Sequence, residues 1–522
     1  MTAFNPAEHP DDPTAIGADR SRVGPGLRPS ARYPSRPGLK PVCPTSSITV
    51  MLYTVLAAVG VSVLVGLYAS TARPAATDRL VLCATVLGPA AVLAFRGSPL
   101  LVDYLLVTVA INRLLRRLLD WGEGRYDTTS LISLLPLAIA ALMMLTILQR
   151  WSSLPAFLRR TGWYWVAAMA YGTGIGVIGW GLPAIYGCAE YVTPLIVLFY
   201  CVSLRPAAGL VQRWATVLGT LGVLLGVYGI YQWTDPPPWD AQWVLWSGMF
   251  SSMGPPVAYT LSICSTLESR GPAAMFFAVT AAALVALPAL RSMGGIFVAA
   301  VPVTGLLLTQ ARTGLIYLVI TLVASALFAR NRGGVKIIFG LLVVGGVTTY
   351  LLGRQAQSSA IFDRVGTLGN LQDDGSANGR VGIATMGLRT VVTNPLGFGF
   401  GSGGNAIKAA AAGTEGTAVG DNGYLEILSI LGVPGTLLYG IGFAMIGRQL
   451  WRRRNNATAL EPTTILGLGL LVAVIPTTMV ANQLTTAHAS YMWLLMSRHL
   501  MVPSRGQGKQ KSILTASSLN DA

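Results

Sequence analysis

Long apolar runs separated by short polar turns make up most of this chain. Runs of roughly 17 to 23 residues recur, and about 20 apolar residues in a helix cross the ~30 Å hydrocarbon core of a bilayer. They predict spanning helices at residues 48–70, 80–95, 99–118, 131–148, 163–181, 185–203, 215–232, 273–290, 294–310, 314–329, 335–351, 423–445, 463–481 and 484–499. The pattern therefore predicts an all-α polytopic membrane protein with about 12–14 transmembrane helices.

One long polar stretch, residues 352–421, interrupts this pattern late in the chain. Its charged residues include Asp363, Arg364, Asp373, Asp374, Arg380, Arg389, Lys408, Glu415 and Asp421. Ionisable residues are rare in membrane proteins outside functional positions. We therefore expect the chemistry of this protein in and around the stretch, with the remaining helices as its scaffold.

The composition supports this division, because 52% of the residues are hydrophobic and only 11% are charged. A formal charge of +16 would suit a nucleic-acid partner, but the Lys and Arg residues fall mainly in short loops and in the two tails. That placement is typical of membrane topology, and no nucleic-acid partner is expected. Of five cysteines, none lies in the polar stretch and four lie in apolar segments, which argues against exterior disulfides and against a metal site.

The positive-inside rule orients the chain. Arg448 and the run 452–454 follow the span 423–445 and are expected in the cytoplasm, so the stretch 352–421 faces the exterior. The first 47 residues carry nine prolines and predict a disordered cytoplasmic tail. The predicted organisation is a tail (1–47), a transmembrane region (48–351), a large exterior loop (352–421), C-terminal transmembrane helices (422–500) and a second cytoplasmic tail (501–522).

Two places depart from this scheme. Arg113, Arg116 and Arg117 fall on the predicted outer side, so either their helix is amphipathic at the interface or an earlier span is miscounted. Residues 254–267 are apolar but too short to span, and two prolines lead the segment. We interpret this segment as re-entrant or interfacial.

The exterior loop has internal order. Apolar residues recur at helical spacing from Val381 to Val391, which predicts an amphipathic helix carrying Arg380 and Arg389 and ending at Asn394-Pro395. The segment NPLGFGFGSGG follows, in which Gly399 and Gly401 have backbone freedom that other residues lack. Two interpretations are open for it: an anion-binding array of N–H groups, or a turn that connects two packed pieces.

A second helix begins where the loop ends. Asp421 and Asn422 precede it, and Asn422, Glu426 and Ser429 share one of its faces by their spacing. Glu426 lies about one turn inside the membrane boundary, where a carboxylate needs a polar cavity or a partner. Asp421 is interpreted either as a helix cap or as a base at the mouth of that cavity.

Two isolated residues add to the candidate site. Arg312, in LTQARTGL between two spans, lies on the outer side against the charge rule, and its planar charged fork suits phosphate oxygens. Snorkelling to the membrane edge is the alternative. His488 is interpreted as a hydrogen-bonded core residue, with contact to the cavity as the alternative.

These motifs together resemble the O-antigen ligase and Wzy-type polysaccharide polymerase superfamily. The resemblance rests on LTQARTGL, R-VGTLGN-x-DDGSANGR, NPLGFGFGSG and DNGYLEILSILGVPG, and it covers roughly residues 300–445. The segment WSGMFSSMGPPVAY (246–259) is a weaker match to the exopolysaccharide polymerase branch. Ligases of the superfamily usually have His-Asn where this chain has Asp421-Asn422, which favours a polymerase.

The resemblance implies a C-type glycosyltransferase fold in the bacterial inner membrane, with the loop and the active site facing the periplasm. Such enzymes transfer an oligosaccharide from undecaprenyl pyrophosphate to a sugar hydroxyl without nucleotide sugar, cofactor or metal. A chain-length regulator and export machinery are possible partners. The candidate residues are Asp421 and Glu426 as proton acceptors, Arg312, Arg364, Arg380 and Arg389 on the pyrophosphate, and Asn422, Tyr424, Gly399 and Gly401 as substrate contacts.

Three functions compete at this point. The first is an inverting polymerase that joins lipid-linked repeat units, and the second is a ligase that passes glycan to lipid A core, a protein or another acceptor. A polysaccharide transporter or flippase is the third. Transporters commonly show repeated halves with sites near the bilayer midplane. The ionisable residues of this chain instead gather in one exterior loop, which favours the enzymes.

Overall fold

The computed structural model describes residues 76–127, 130–286, 293–329, 375–403, 422–456, 462–485 and 487–501, and a few positions between 56 and 67. The expected spans at 48–70 and 335–351, both tails and most of the exterior loop lie largely or wholly outside the described residues. The described part belongs to one compact unit, Thr45–Ala522. It is built from helices, and no strand occurs among the described residues.

The helices follow the apolar runs of the sequence. They are α1 Ala76–Phe95, α2 Leu100–Glu123, α3 Leu135–Gln149, α4 Ala156–Trp180, α5 Leu182–Ser203, α6 Ala208–Thr234, α7 Pro238–Trp246, α8 Phe250–Met253, α9 Arg270–Ala286, α10 Met293–Leu308, α11 Arg312–Ala329, α12 Gly375–Thr393, α13 Gly423–Asn456, α14 Pro462–Thr477 and α15 Ala487–Met501. Two 3₁₀ turns, Leu131–Leu134 and Trp151–Ser153, flank α3.

Five segments among the described residues are long and apolar enough to cross a membrane: Asp78–Phe95, Leu131–Gln149, Leu182–Ser203, Ala208–Thr234 and Gly423–Arg452. Shorter apolar helices accompany them at Arg270–Val285, Val298–Leu308, Arg312–Phe328 and Pro462–Thr477. The expected fold class, an all-α polytopic membrane protein, is confirmed.

Helix α13 is broken inside its apolar stretch, which the sequence-based span 423–445 did not anticipate. Gly432 has φ +60° and ψ −177°, a conformation outside the helical region, and Pro434 follows two residues later. Glycine tolerates a positive φ at little cost, and proline removes a helical hydrogen bond. The break exposes backbone groups of α13 to a neighbouring segment.

The three arginines that opposed the charge rule are held by acidic and backbone partners. Arg116 and Arg117 are buried against protein on α2, which is not among the five candidate spans, so both interpretations of this helix stay predictions. Arg116 forms an ion pair with Asp120, and Arg117 forms one with the fully buried Asp240 of α7. Buried charges persist in a bundle when they are paired and hydrogen-bonded.

Residues 254–267 do not form a spanning helix, as expected from their length. The second half of this segment, 261–267, is buried throughout, and the N–H of Ile263 donates to the carbonyl of Leu308 at 3.2 Å. Non-helical backbone is tolerated in a membrane protein where protein covers it. The segment thus packs inside the bundle next to the end of α10.

Candidate functional site

The glycine-rich segment 394–403 lies between α4 and the break in α13. The N–H groups of Phe398 and Gly399 donate to the carbonyls of Ser429 and Ile430, at 2.8 and 2.9 Å. On the other side, the N–H of Phe400 donates to the carbonyl of Gly172 at 3.0 Å. The segment therefore joins the two helices by backbone hydrogen bonds.

Close backbone packing explains the glycines of this segment. Gly397, Gly399 and Gly401 have φ values of +81°, +76° and +95°. A Cβ on Gly399 would overlap the backbone of Gly176 in α4. The packing interpretation is favoured over the anion-binding one, because the N–H groups from Gly397 to Phe400 already donate to backbone carbonyls. Substrate contact by Gly399 and Gly401 stays a prediction.

Helix α13 begins with an asparagine cap. The Asn422 side-chain Oδ1 accepts hydrogen bonds from the N–H groups of Tyr424 and Leu425, at 3.1 and 3.2 Å. An Asx side chain in this position satisfies helix N–H groups that otherwise lack partners. Asn422 thus caps the helix by its side chain, and capping does not require the carboxyl group of Asp421, which lies outside the described residues.

A cavity of about 430 Å³ lies beside the first turn of α13. Its wall combines residues near the start of α11 and α13 with residues of α2, α5, α9 and the α14–α15 connection. Its polar or charged lining residues include Asn112, Arg113, Ser133, Tyr186, Glu190, Tyr191, Thr193, Glu268, Thr313, Glu426, Asn482, Gln483, Thr485, Ser490 and Tyr491. The volume falls in the range of ligand pockets, and the cavity beside Glu426 carries these polar groups within a mainly apolar lining.

An ion pair and hydrogen bonds connect several charged and hydroxyl side chains in the cavity wall. Arg113 pairs with Glu268 at 3.0 Å and donates to the Ser133 hydroxyl at 2.9 Å. The Tyr186 hydroxyl donates to Glu190 at 3.1 Å. Glu190 interacts electrostatically both with Arg113 and with Glu426. The lining thus contains three carboxyl groups and one guanidinium among the described residues.

The α14–α15 connection contributes two amide side chains that lie next to these acids. Asn482 lies beside the Glu426 side chain, and its Nδ2 donates to the Tyr191 hydroxyl at 3.0 Å. Asn482 Oδ1 and Gln483 Oε1 are buried and have no hydrogen-bond partner among the described residues. A buried amide oxygen without a donor is costly, so these two atoms are candidates for ligand contact.

A buried network around Arg117 positions the segment that supplies Glu268. The Arg117 guanidinium donates to the carbonyls of Ser265 and Leu267, at 2.6 and 3.1 Å, and to the thiol of Cys264. Burial raises the pKa of the Cys264 thiol, which keeps that group neutral. Ser265 has φ +53°, a strained value for a non-glycine residue. Arg117 therefore holds the backbone directly before Glu268.

Gln232 of α6 supports the same segment. Its Oε1 accepts the N–H groups of Cys264 and Ser265, at 3.1 and 2.8 Å, and its Nε2 donates to Asp240 at 2.6 Å. Asp240 also accepts from the Tyr228 hydroxyl at 2.9 Å. Arg113 and Arg117 are four residues apart and lie on one face of α2. This face therefore holds both the Cys264 segment, through Arg117, and Glu268, through Arg113.

The predicted arginines are placed as follows. Arg312 is the first residue of α11; its neighbours Ala311, Thr313 and Gly314 line the cavity, but Arg312 itself is not among the described lining residues. Arg389 is exposed on α12. Arg380 belongs to α12, but its side chain lies outside the described part, as does Arg364. Binding of pyrophosphate by these four residues stays a prediction.

Two further expectations concern Tyr424 and metal binding. The Tyr424 hydroxyl donates to the carbonyl of Ile475 at 2.7 Å, which attaches the start of α13 to α14, and its contact with substrate stays a prediction.

Within the described ranges, no group of three or more His, Cys, Asp and Glu side chains is arranged to hold a metal ion. His488 has its side chain outside the described part.

Four residues of the cavity wall were not predicted from the sequence: Glu190, Glu268, Asn482 and Gln483. One signal for Glu190 was available, because GCAEYVTP places a carboxylate inside a predicted span. Arg113 was noticed only as a departure from the charge rule. Its partner Glu268 lies far away in sequence, and no local pattern links the two.

The fold and the cavity together define a polytopic membrane protein with a buried acidic site. Residues 296–440 match the family described as Wzy_C, O-antigen ligase, and this confirms the resemblance to the O-antigen ligase and Wzy-type superfamily. The matched part includes Arg312, Glu426 and the break at Gly432. No curated protein and no solved structure matches the chain.

Proposed function

We propose that this protein is a polysaccharide polymerase that joins undecaprenyl-pyrophosphate-linked oligosaccharide repeat units at the outer face of the bacterial inner membrane. The family match supports an O-antigen ligase or polymerase type of activity in general. Asp421-Asn422, in place of the His-Asn usual in ligases, favours a polymerase.

The observation that carries this proposal is the position of Glu426. Its carboxyl group is buried at the wall of the cavity, one turn into α13, and only 9% of the residue is exposed. The matched family segment supplies Glu426, whereas the cavity's other acids come from α5 and from the segment before α9. A buried carboxylate at the wall of a cavity is suited to accept a proton from a bound hydroxyl.

The proposed reaction is one displacement. A sugar hydroxyl of the acceptor attacks the anomeric carbon of the donor, a new glycosidic bond forms, and the bond from that carbon to the pyrophosphate oxygen breaks. The hydroxyl proton passes to Asp421 or Glu426, and the electron pair leaves with undecaprenyl pyrophosphate. Fixed arginines, Arg312 and Arg380 first, stabilise the charge on the leaving group, and the anomeric configuration inverts.

A ligase is the second candidate, and the description of the matched family favours it. The donor and the chemistry would be the same, and only the acceptor would differ. Acceptor identity therefore separates the two functions.

Purified full-length protein in lipid nanodiscs tests the proposal with lipid-linked repeat units as the only glycan. A polymerase converts them to a ladder of longer lipid-linked chains and releases undecaprenyl pyrophosphate. A ligase gives product only after lipid A core or another acceptor is added. Absence of longer chains in the first reaction, together with transfer in the second, would replace polymerase with ligase.

A further inference from the structure

The two amide oxygens of the α14–α15 connection that have no partner among the described residues point to a specific kind of ligand. Asn482 and Gln483 are 8% and 5% exposed, and both line the cavity. A side-chain amide oxygen only accepts hydrogen bonds, as does an ionised carboxylate. The side of the cavity formed by Asn482, Gln483, Glu190 and Glu426 therefore presents several acceptor oxygens beside the amide N–H groups.

The charge of the cavity restricts the ligand further. The charged groups described in its wall are the carboxyl groups of Glu190, Glu268 and Glu426 and the Arg113 guanidinium. Arg113 is already engaged by Glu268 and Ser133. Among the described residues, a pyrophosphate group in this cavity would meet more carboxyl groups than cations, and ionised carboxyl groups repel phosphate at short range. The described part of the wall thus suits an uncharged ligand better than the phosphorylated part of the substrate.

We infer that the cavity is the binding site for the acceptor glycan, and that Asn482 and Gln483 accept hydrogen bonds from its hydroxyl groups. A sugar offers many hydroxyl donors, needs no positive charge, and matches a cavity of this size. Its donors would satisfy the two amide oxygens whose burial is otherwise costly. The hydroxyl that reacts would then lie near Glu426, and the pyrophosphate would remain outside at the arginines.

Calling the glycan an acceptor rests on the proposed function, but its binding can be measured without any reaction. The probe is the free repeat-unit oligosaccharide, released from its lipid by mild acid, and the protein is the full chain in lipid nanodiscs. Isothermal titration calorimetry measures its affinity. We expect saturable binding that inorganic pyrophosphate does not displace.

Wild-type protein alone can distinguish hydroxyl recognition from shape recognition. A permethylated form of the same oligosaccharide keeps the ring skeleton but has no hydroxyl donors. A site built to hydrogen-bond hydroxyl groups rejects an analogue without them strongly, so we expect no measurable binding of this form. Equal binding of the two forms would overturn the inference, and so would absence of binding by the free oligosaccharide or its displacement by pyrophosphate.

Variants then locate the site. Gln483→Met and Asn482→Leu remove the acceptor oxygens at similar side-chain size, and we expect each to weaken binding by about 10- to 100-fold. Asn482→Leu also removes the Nδ2 donor to Tyr191, so Gln483→Met is the deciding variant. Gln149→Met, at an exposed position at the end of α3, is the matched control and should bind as the wild type does. Unchanged affinity in both cavity variants would place the glycan elsewhere and contradict the inference.

The binding and polymerisation results separate the two proposals. Polymer formation without hydroxyl-dependent binding in the cavity would disprove the acceptor site and leave the proposed function in place. The opposite result is equally clear. If the oligosaccharide binds through its hydroxyl groups and the cavity variants weaken that binding, but no lipid-linked unit is transferred, the proposed function is disproved and the glycan site stands.

Discussion

The Asn482 side chain donates a hydrogen bond to the Tyr191 hydroxyl at 3.0 Å, across 291 positions of the chain. This bond attaches the α14–α15 connection to α5, next to Glu426. Residues upstream and downstream of the matched family segment therefore build the cavity together with it. Helices before residue 296 thus line the cavity directly.

The first prediction concerns the two candidate bases. Asp421→Asn should lower the rate of polymerisation by about 10²- to 10⁴-fold, the usual contribution of general-base catalysis, since the amide cannot take a proton. Loss of a helix cap would not explain this result, because the Asn422 side chain caps α13. The measurement is turnover of purified lipid-linked repeat units at matched protein amounts.

Two comparisons complete this prediction. Asp235→Asn, at an exposed acid just after α6, should retain full turnover. Glu426→Gln should lower turnover at normal membrane abundance, because a neutral amide is less costly to bury than a carboxylate. Turnover near the wild-type value in Asp421→Asn would remove Asp421 from the mechanism, and low abundance of Glu426→Gln would indicate a structural carboxylate.

The second prediction concerns the arginine fork. Arg312→Lys and Arg380→Lys should each reduce polymer formation strongly while the protein remains at its normal level in the membrane. Lysine keeps the charge but cannot bind two phosphate oxygens with one planar group. Arg160→Lys is the control. Arg160 is exposed near the start of α4, and its replacement should leave polymer formation unchanged. Normal polymer length in both test variants would show that these arginines are structural.

The third prediction concerns the break in α13. Gly432→Ala should destabilise the protein, since a Cβ there would overlap the backbone of Leu396 and the residue has φ +60°. Gly440→Ala is the matched control, because no atom lies within 4 Å of its added Cβ and alanine favours a helix by about 1 kcal/mol. Thermal unfolding of the purified variants gives the order of their stabilities. An unfolding midpoint of Gly432→Ala at or above the wild-type value would contradict the expected strain.

The fourth prediction is the orientation of the chain. Met386 on α12 and Trp451 on α13 are 59% and 62% exposed. In a cysteine-free background, Met386→Cys should react with a membrane-impermeant maleimide added to spheroplasts, and Trp451→Cys should react only after lysis. The reverse pattern would place residues 352–421 in the cytoplasm and would exclude a periplasmic site.

The sequence predicted the helices well because burial in a bilayer imposes long apolar runs. The predicted span 185–203 corresponds to α5 Leu182–Ser203, and the predicted helix of the exterior loop corresponds to α12 Gly375–Thr393. The break at Gly432 was missed although LGVPG contains a glycine and a proline, both common causes of helix breaks. Hydrophobicity averaged over a fixed window of residues does not reveal such a break, because the residues on both sides are apolar.

The cavity was predicted only in part. Glu426 indicated it because an acid one turn inside a membrane helix requires a polar environment. The amides of Asn482 and Gln483 gave no such indication, since they lie in a polar connection where side-chain amides are ordinary. Their significance depends on burial and on the lack of described partners, which are properties of the assembled bundle.

The buried pair of Arg117 and Asp240 has a consequence for biosynthesis. Arg117 is translated 123 positions before the aspartate that neutralises it. Burying an unpaired guanidinium is costly. While Asp240 is not yet synthesised, the buried position of Arg117 therefore has no counterion. α2 can reach its final packing only when α7 and the Cys264 segment have been synthesised and dock against it.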